Sequence, residues 1–183
     1  MKVRPLLWKT CRVVACESRL RLLWELFESR EVSVSQLCSK LQLSQPNASN
    51  QLRALNECGL IAFRRKKMNV LYRPEANEWV EFAPEMLRAL RICYDRSDSF
   101  ASVMRQVTAF THQRRVEIVR ALAEGAMDTN RLQQKTGMSA PALSRHLRKL
   151  ERRRFVRAKG KLYGLVRRPN HPLDKVLLKL AIA

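Results

Sequence analysis

The sequence predicts a mainly α-helical protein with small β-hairpins, in which one unit of three helices and a hairpin occurs twice. Two observations carry this prediction. A segment of the chain recurs at an offset of 95 residues, and each copy has apolar residues at helical spacing followed by two short β runs. A packed core is expected because 46% of the 183 residues are apolar and only 5 are Gly.

The repeat is clearest in the third helix of each copy. Residues 43–55, LSQPNASNQLRAL, align with residues 138–150, MSAPALSRHLRKL, and six identical residues keep one register. The match extends backwards over two shorter helices and forwards into the hairpin. We therefore predict two domains, residues 1–96 and 97–183, which divide at the short polar break DRSD.

Local signals place the elements within each copy. Ser44 and Ser139 are predicted N-caps of the third helices, and Pro46 and Pro141 lie in the first turn, where a missing N–H costs little. Gly59 suits a helix end. Two hairpins are predicted, the first pairing residues 61–63 with 70–72 and the second pairing 155–157 with 162–163. Packing helices are predicted to flank the two copies, at residues 4–16, 77–94, 98–110 and 172–183. This pattern is a winged helix-turn-helix, twice.

The charge points to a polyanionic partner. The chain has 36 Lys and Arg against 16 Asp and Glu, a formal charge of +20, and nucleic acid is the commonest strongly charged partner of such a basic domain. A membrane is the competing partner, but no apolar run approaches the roughly 18 to 20 residues of a spanning helix. Lys9 and Arg12 interrupt the N-terminal apolar stretch that a signal peptide needs. We expect no membrane partner and a cytoplasmic, nucleoid-associated protein.

The sequence offers no catalytic arrangement. It lacks a Gly-rich phosphate loop, and its three His residues are scattered, so we predict no enzyme and no cofactor. The five Cys residues are odd in number and form no CxxC pair, which indicates reduced, mostly buried thiols.

The third helices carry a family resemblance. The segments SQPNASNQL (44–52), SRHL (144–147) and LNECGLI (55–61) resemble the winged-helix repressors of the ArsR family. The resemblance implies a DNA-binding transcriptional regulator, with the third helix in the major groove and flanking helices at dimer contacts. Metal-sensing members carry Cys-x-Cys where this chain has Ser33-Val34-Ser35. His171 and Asp174 alone are too few for a zinc site, so we predict no metal.

Helical geometry assigns roles to the exposed side of each third helix. Its N-terminal part should reach base edges, and its later turns and the wing should meet phosphates. Arg145 suits guanine, and Asn47 or Asn50 suits adenine. The base-contact candidates are Gln45, Asn47, Ser49, Asn50, Ala140, Ala142, Ser144 and Arg145. The phosphate candidates are Arg53, Arg64, Arg65, Lys66, Lys67, Arg148, Lys149, Arg152, Arg157, Lys159 and Lys161.

The two copies differ in charge. Residues 1–96 carry +7 (17 basic, 10 acidic) and residues 97–183 carry +13 (19 basic, 6 acidic). We therefore predict a pseudo-dimer within one chain that reads an asymmetric site as a regulator, most simply a repressor. A homodimer through the flanking helices is also open, and the sequence identifies no small-molecule inducer. The alternatives are a protein- or RNA-binding assembly module of the chromosome-organisation type, and a metal sensor.

Three further side-chain types receive structural roles. Trp8, Trp24 and Trp79 fall at apolar periodic positions and should pack in the core. His146 should make a structural hydrogen bond rather than a base contact. Tyr72 and Tyr163 should anchor the two wings.

Overall fold

The computed structural model describes residues 6–166 and 171–183. Over these residues the protein is mainly helical with two small antiparallel sheets, which confirms the predicted fold class. Residues 4 and 5 of the predicted first helix lie outside the described residues. None of the helices within the described ranges is both long enough and apolar enough to cross a bilayer.

The chain forms two compact units. Of the described residues, unit 1 holds 13–104, and unit 2 holds 6–12 together with 105–166 and 171–183. This division differs from the limits 1–96 and 97–183. Residues just past the polar break belong with unit 1 because Phe100 packs against Trp24, with ring centroids 5.8 Å apart. The limits of independently folding domains stay a prediction.

Unit 1 is a winged helix-turn-helix with one strand more than the sequence indicated. The first helix, α1, spans Leu7–Val14 and crosses from unit 2 into unit 1. The elements that follow are α2 (Glu17–Ser29), β1 (Val32–Ser33), α3 (Val34–Leu41), α4 (Gln45–Glu57), β2 (Ala62–Lys66), β3 (Asn69–Arg73), α5 (Ala83–Asp95) and α6 (Phe100–Val107). The sheet order is β1-β3-β2, and Val32 pairs with Tyr72.

Unit 2 repeats this plan. Its elements are α7 (Gln113–Ala123), α8 (Thr129–Thr136), α9 (Ala140–Arg152), β4 (Val156–Lys159), β5 (Leu162–Leu165) and α10 (Pro172–Ile182). A single bridge between Met127 and Tyr163, with N–O distances of 2.9 and 2.8 Å, stands where unit 1 has the β1–β3 pair. The duplication read from the sequence is therefore visible in the backbone.

Each unit has its own apolar core. In unit 1, Leu23, Leu37 and Leu52 from three successive helices are fully buried. In unit 2, Phe110 and Phe155 meet edge to face with centroids 4.8 Å apart. Burying a side chain of this size stabilises the folded state by about 1.5 to 3 kcal/mol, so a few such contacts determine how each third helix is seated.

The helix starts agree with the sequence only in part. Ser44 and Ser139 occupy the N-cap positions with extended backbones, but their side chains make no cap hydrogen bond. Side-chain caps occur one helix earlier, where Ser33 forms a capping box with Gln36 and Asp128 accepts from the N–H of Arg131. Pro46 and Pro141 lie in the first turns as predicted.

The tryptophans separate into packed and exposed. Trp24 packs among Phe27, Tyr94 and Phe100, as expected, and Trp8 is half-buried. The prediction for Trp79 is wrong, since its side chain is 65% exposed. The reason is that α5 begins at Ala83, so Trp79 lies in the preceding turn, where helical periodicity does not apply.

The aromatic anchors and the thiols follow the sequence more closely. Tyr72 packs on Phe63 across the first hairpin, with centroids 5.8 Å apart. The five Cys residues are free thiols, of which Cys11, Cys58 and Cys93 are buried.

Two glycines at positive φ offer a matched stability test. Gly59 has φ +71, and an added Cβ would lie 2.9 Å from the Val80 side chain; Gly137 has φ +62 and open space around it. We expect Gly137→Ala to cost about 1 kcal/mol from the backbone alone and Gly59→Ala about 1 to 3 kcal/mol more from the clash. Urea unfolding of both variants checks this. Equal losses would show that Val80 gives way at no cost.

Candidate nucleic-acid interface

The two third helices are seated in the same way. Helices α4 and α9 are each 13 residues long and begin at equivalent residues. Each buries one side against its unit, through Ala48, Leu52 and Leu55 in α4 and Leu143, Leu147 and Leu150 in α9. The polar side of each helix is thereby left facing solvent.

Most base-contact candidates lie on these solvent-facing sides. Exposed side chains are those of Gln45, Asn47, Asn50, Ala140, Ser144 and Arg145, whereas Ser49 and Ala142 are half-buried. Asn47 is already engaged within α4, because its Oδ1 accepts a hydrogen bond of 3.1 Å from Gln51 Nε2.

The phosphate candidates are exposed except for Lys149, which is half-buried. On the first hairpin, Arg64 is held inside unit 1 because Nε and Nη2 donate to the two Glu31 carboxylate oxygens, each at 2.6 Å. This hydrogen bond lowers the pKa of Glu31. Among the described residues no carboxylate pairs with Arg65, Lys66 or Lys67, so the tip of this hairpin remains cationic.

Unit 2 contains a basic cleft beside α9. Its volume is about 580 Å³, and one wall is the segment that leads into α7 while the other is α9 itself. The lining residues are Thr108, Thr111, His112, Arg115, Arg145, His146, Arg148, Lys149 and Arg152. Five of the nine are cations, and within the described part of the chain none of the five forms an ion pair.

Arg115 is the buried cation of this cleft, with only 8% of its surface exposed. Its Nε donates to Ala109 O at 2.5 Å, and its Nη2 donates to Thr108 O and Thr111 Oγ1 at 3.1 and 2.8 Å. Its Nη1 makes no hydrogen bond to any residue that the structure describes. Burial lowers the pKa of Arg115, but a guanidinium keeps its charge in proteins.

Two imidazoles contact each other in the same cleft, with their ring planes inclined at 49°. The rings of His112 and His146 lie 4.6 Å apart, and His146 is 6% exposed. Burial, then His112 and Arg115, lowers the pKa of His146 to about 4. The predicted structural hydrogen bond is not what holds His146, since it makes none with the described residues and is held by burial and by its ring contact with His112 instead.

Unit 1 repeats the arginine but not the histidine. Arg19 aligns with Arg115, and Gln51 aligns with His146. In unit 1, Arg19 Nη1 donates to Gln51 Oε1 at 2.8 Å, and its Nε donates to Val13 O. The replacement of Gln51 by His146 therefore removes the side chain that receives the corresponding guanidinium hydrogen in unit 1.

The sequence predictions missed Thr108, Thr111, His112 and Arg115 as site residues. One signal was present: Arg115 stands four and seven residues before Val119 and Leu122, on the apolar side of α7. A charged residue at a buried helical position is rare unless something satisfies it. The carbonyl oxygens of Thr108 and Ala109, which accept hydrogen bonds from Arg115, lie in a loop, and helical periodicity makes no prediction for a loop.

The comparisons with known proteins agree with this architecture. The family model described as "Bacterial regulatory protein, arsR family" matches residues 16–62 and again 112–158. These two matches cover half of the chain and coincide with the two helix-turn-helix units. The protein belongs to the ArsR family, as a tandem winged-helix member, and the family is one of transcriptional regulators rather than enzymes.

Two individual proteins are similar to part of the chain. The arsenic resistance transcriptional regulator ArsR1 of Pseudomonas putida is 36% identical over 72 residues, which is 38% of this chain and 56% of that protein. The chain thus matches little more than half the length of this curated relative. The transcriptional regulator HlyU of Vibrio vulnificus is 34% identical, with 47% of this chain and 84% of HlyU covered at a TM-score of 0.38.

The histidine cleft predicts an acid-sensitive unit 2. A folded-state pKa of about 4 lies below the ordinary value of 6.5, so the folded state favours neutral His146. Stability is therefore complete above about pH 6.5 and is lost as the pH falls towards 4, by at most about 3 kcal/mol. His146→Gln, which installs the residue of unit 1, should remove this part of the loss. Urea unfolding at pH 7, 5 and 4 measures it, and parallel pH curves for the two proteins would contradict it.

Proposed function

We propose that this protein is a sequence-specific regulator of transcription that binds double-stranded DNA and acts as a repressor. One observation carries the proposal: α9 presents Arg145, Arg148 and Arg152 on its solvent-facing side, and no described carboxylate pairs with any of them. Unpaired guanidinium groups on an exposed helix attract phosphates and can donate two hydrogen bonds to guanine.

The role of each interface residue follows from its position along the third helix or on the hairpin. Arg145, in the second turn of α9, is assigned to a base edge, and Asn50 takes the matching place on α4. Asn47 is a weaker reader because Gln51 already occupies its oxygen. The hairpin cations are assigned to phosphates, and Arg64 contributes less than its neighbours because Glu31 holds it.

Both reading helices reside in one chain, so we propose a pseudo-dimer. The helices differ in the residues they expose, Asn50 and Arg53 on α4 against Arg145 and Arg148 on α9. An ordinary two-fold regulator has identical helices and reads a palindrome. Here the two half-sites should differ, and the half of the chain with +13 should supply more of the affinity than the half with +7. The proposed domains are 1–96 and 97–183, and the proposed location is the nucleoid.

A protein-binding role for unit 1 is the second candidate. Its hairpin exposes Met68 almost completely, at 98%, and Phe63 at 51%. The outer side of α4 also carries Glu57, which phosphates would repel. This arrangement favours a division of labour in which unit 2 holds DNA and unit 1 meets another protein or a second chain.

Selection of bound duplexes from a random pool tests the main proposal. We expect an enriched motif that is not palindromic, one chain per site by mass in solution, and affinity that falls steeply with salt, with a log–log slope of about −0.9 per phosphate neutralised. No enrichment over random duplexes at moderate salt would rule out a sequence-specific regulator. A perfect palindrome bound by two chains, each using the same unit, would defeat the pseudo-dimer.

Substitutions separate base readers from phosphate contacts. Arg145→Ala should cost about 1 to 3 kcal/mol on the selected duplex and relax the preference at one base position. Lys66→Ala combined with Lys67→Ala should weaken selected and random duplexes alike and flatten the salt slope. The readout is fluorescence anisotropy on both duplexes over a salt series. Equal losses of Arg145→Ala on the two duplexes would remove Arg145 from base readout.

A further inference from the structure

The cleft beside α9 has the features of a built anion site. A guanidinium that is 8% exposed is costly to bury, and each described partner of Arg115 is a neutral oxygen. Arg115 lines the cleft, and its Nη1 group has no protein acceptor among the described residues. Four more cations line the same cleft. A largely buried charge that has no carboxylate partner among the described residues favours a counter-ion from outside.

The chemistry of the lining favours a phosphate group over other anions. Several guanidinium groups and one ammonium offer more donors than a single carboxylate can accept, whereas a phosphate has several charged oxygens and fits the guanidinium fork. The volume of about 580 Å³ exceeds what a free phosphate ion needs and suits a phosphate carried on a larger molecule.

We propose that this cleft binds a phosphate group, with Arg115, a largely buried residue, donating through its accessible Nη1 and with Arg148, Lys149 and Arg152 as its outer cations. The phosphate comes either from a nucleotide-like small molecule or from the backbone of bound duplex DNA. Arg145 lines the cleft and is also the assigned base reader. A small phosphorylated ligand would therefore compete with DNA, a consequence that rests on the proposed function.

The duplication identifies the residue that opens the site. In unit 1, Gln51 Oε1 accepts a hydrogen bond from Arg19 Nη1, and in unit 2 the aligned residue is His146, whose ring contacts that of His112. His146→Gln should therefore give Arg115 the partner that Arg19 has and weaken phosphate binding. This variant changes neither the charge at neutral pH nor the other four cations that line the cleft, so an effect would come from Arg115 rather than from the general field.

The three histidines of the chain provide the measurement. His112 and His146 lie in the cleft, and His171 caps α10 outside it. In the full chain at pH 7.5, inorganic phosphate and a deoxynucleoside 5′-monophosphate should shift the ring resonances of His112 and His146 by NMR, and chloride at equal ionic strength should not. Equal shifts with chloride, equal shifts at His171, or no shifts would overturn the proposal.

Matched variants connect these shifts to the cleft. Arg152→Gln and Arg148→Gln should each weaken phosphate binding by about threefold, in the range of an exposed ion pair. His146→Gln should also weaken phosphate binding, and because this variant lacks the His146 ring, its binding is measured from the His112 resonances. Lys175→Gln removes the same charge from an exposed position on α10 and should leave binding unchanged. If Lys175→Gln weakens binding as much as Arg152→Gln does, the phosphate is held by net charge and not by this cleft.

A competition experiment distinguishes the two sources of the phosphate. If the nucleotide displaces a selected duplex from the wild type more readily than from Arg152→Gln, the cleft takes a free ligand that opposes DNA binding. If the duplex itself shifts His112 and His146 and the nucleotide does not displace it, the cleft holds a DNA phosphate. Either result supports the site. The titration with inorganic phosphate needs no DNA. It therefore tests phosphate binding by the cleft separately from the proposed function in transcription.

Discussion

The burial of one side of the third helix against the core is the constraint on which each unit depends. In α9, Leu143, Leu147 and Leu150 have to be buried, and because these positions recur every three to four residues they fix the rotation of the helix about its own axis. The same rotation exposes Arg145 and Arg148 and carries His146 inward. The charge presented outside and the imidazole buried inside are thus two results of one packing requirement.

The two units show what divergence does to a shared frame. Both keep an arginine at the start of the helix that supports the third helix, Arg19 in unit 1 and Arg115 in unit 2. Gln51 accepts a hydrogen bond from the first, but the aligned His146 contacts another imidazole and leaves the second with an unused donor. The exchange at this one position therefore removes the acceptor, while the exchanges of Asn50, Ala54 and Glu57 for Arg145, Lys149 and Arg152 supply the cations of the cleft.

Electrostatic repulsion accumulates in unit 2. Burial, and after it the nearby Arg153 and Arg115, lowers the pKa of Lys149, and burial followed by Arg115 lowers the pKa of His112. Like charges at this density weaken the folded unit, and a bound polyanion would relieve them. Both units neutralise part of their charge internally, unit 1 through Arg64 with Glu31 and Lys40 with Glu25, and unit 2 through Arg114 with Glu117 and Lys135 with Glu124. In unit 2 these pairs leave the cations of the cleft without a carboxylate partner among the described residues.

The sequence by itself determined the duplication, the three helices and hairpin of each unit, and the outward side of α4 and α9. These follow from apolar periodicity and from Pro46 and Pro141, which act over a few neighbouring residues. Only the tertiary structure decided that β1 pairs with β3, that α5 starts at Ala83 and leaves Trp79 in solvent, and that Glu31 holds Arg64. It also decided that Arg115, His112 and His146 line one cleft with the cations of α9. Those outcomes depend on contacts between groups that are far apart in the chain, such as Val32 with Tyr72 and Glu31 with Arg64, and local periodicity contains no information about such contacts.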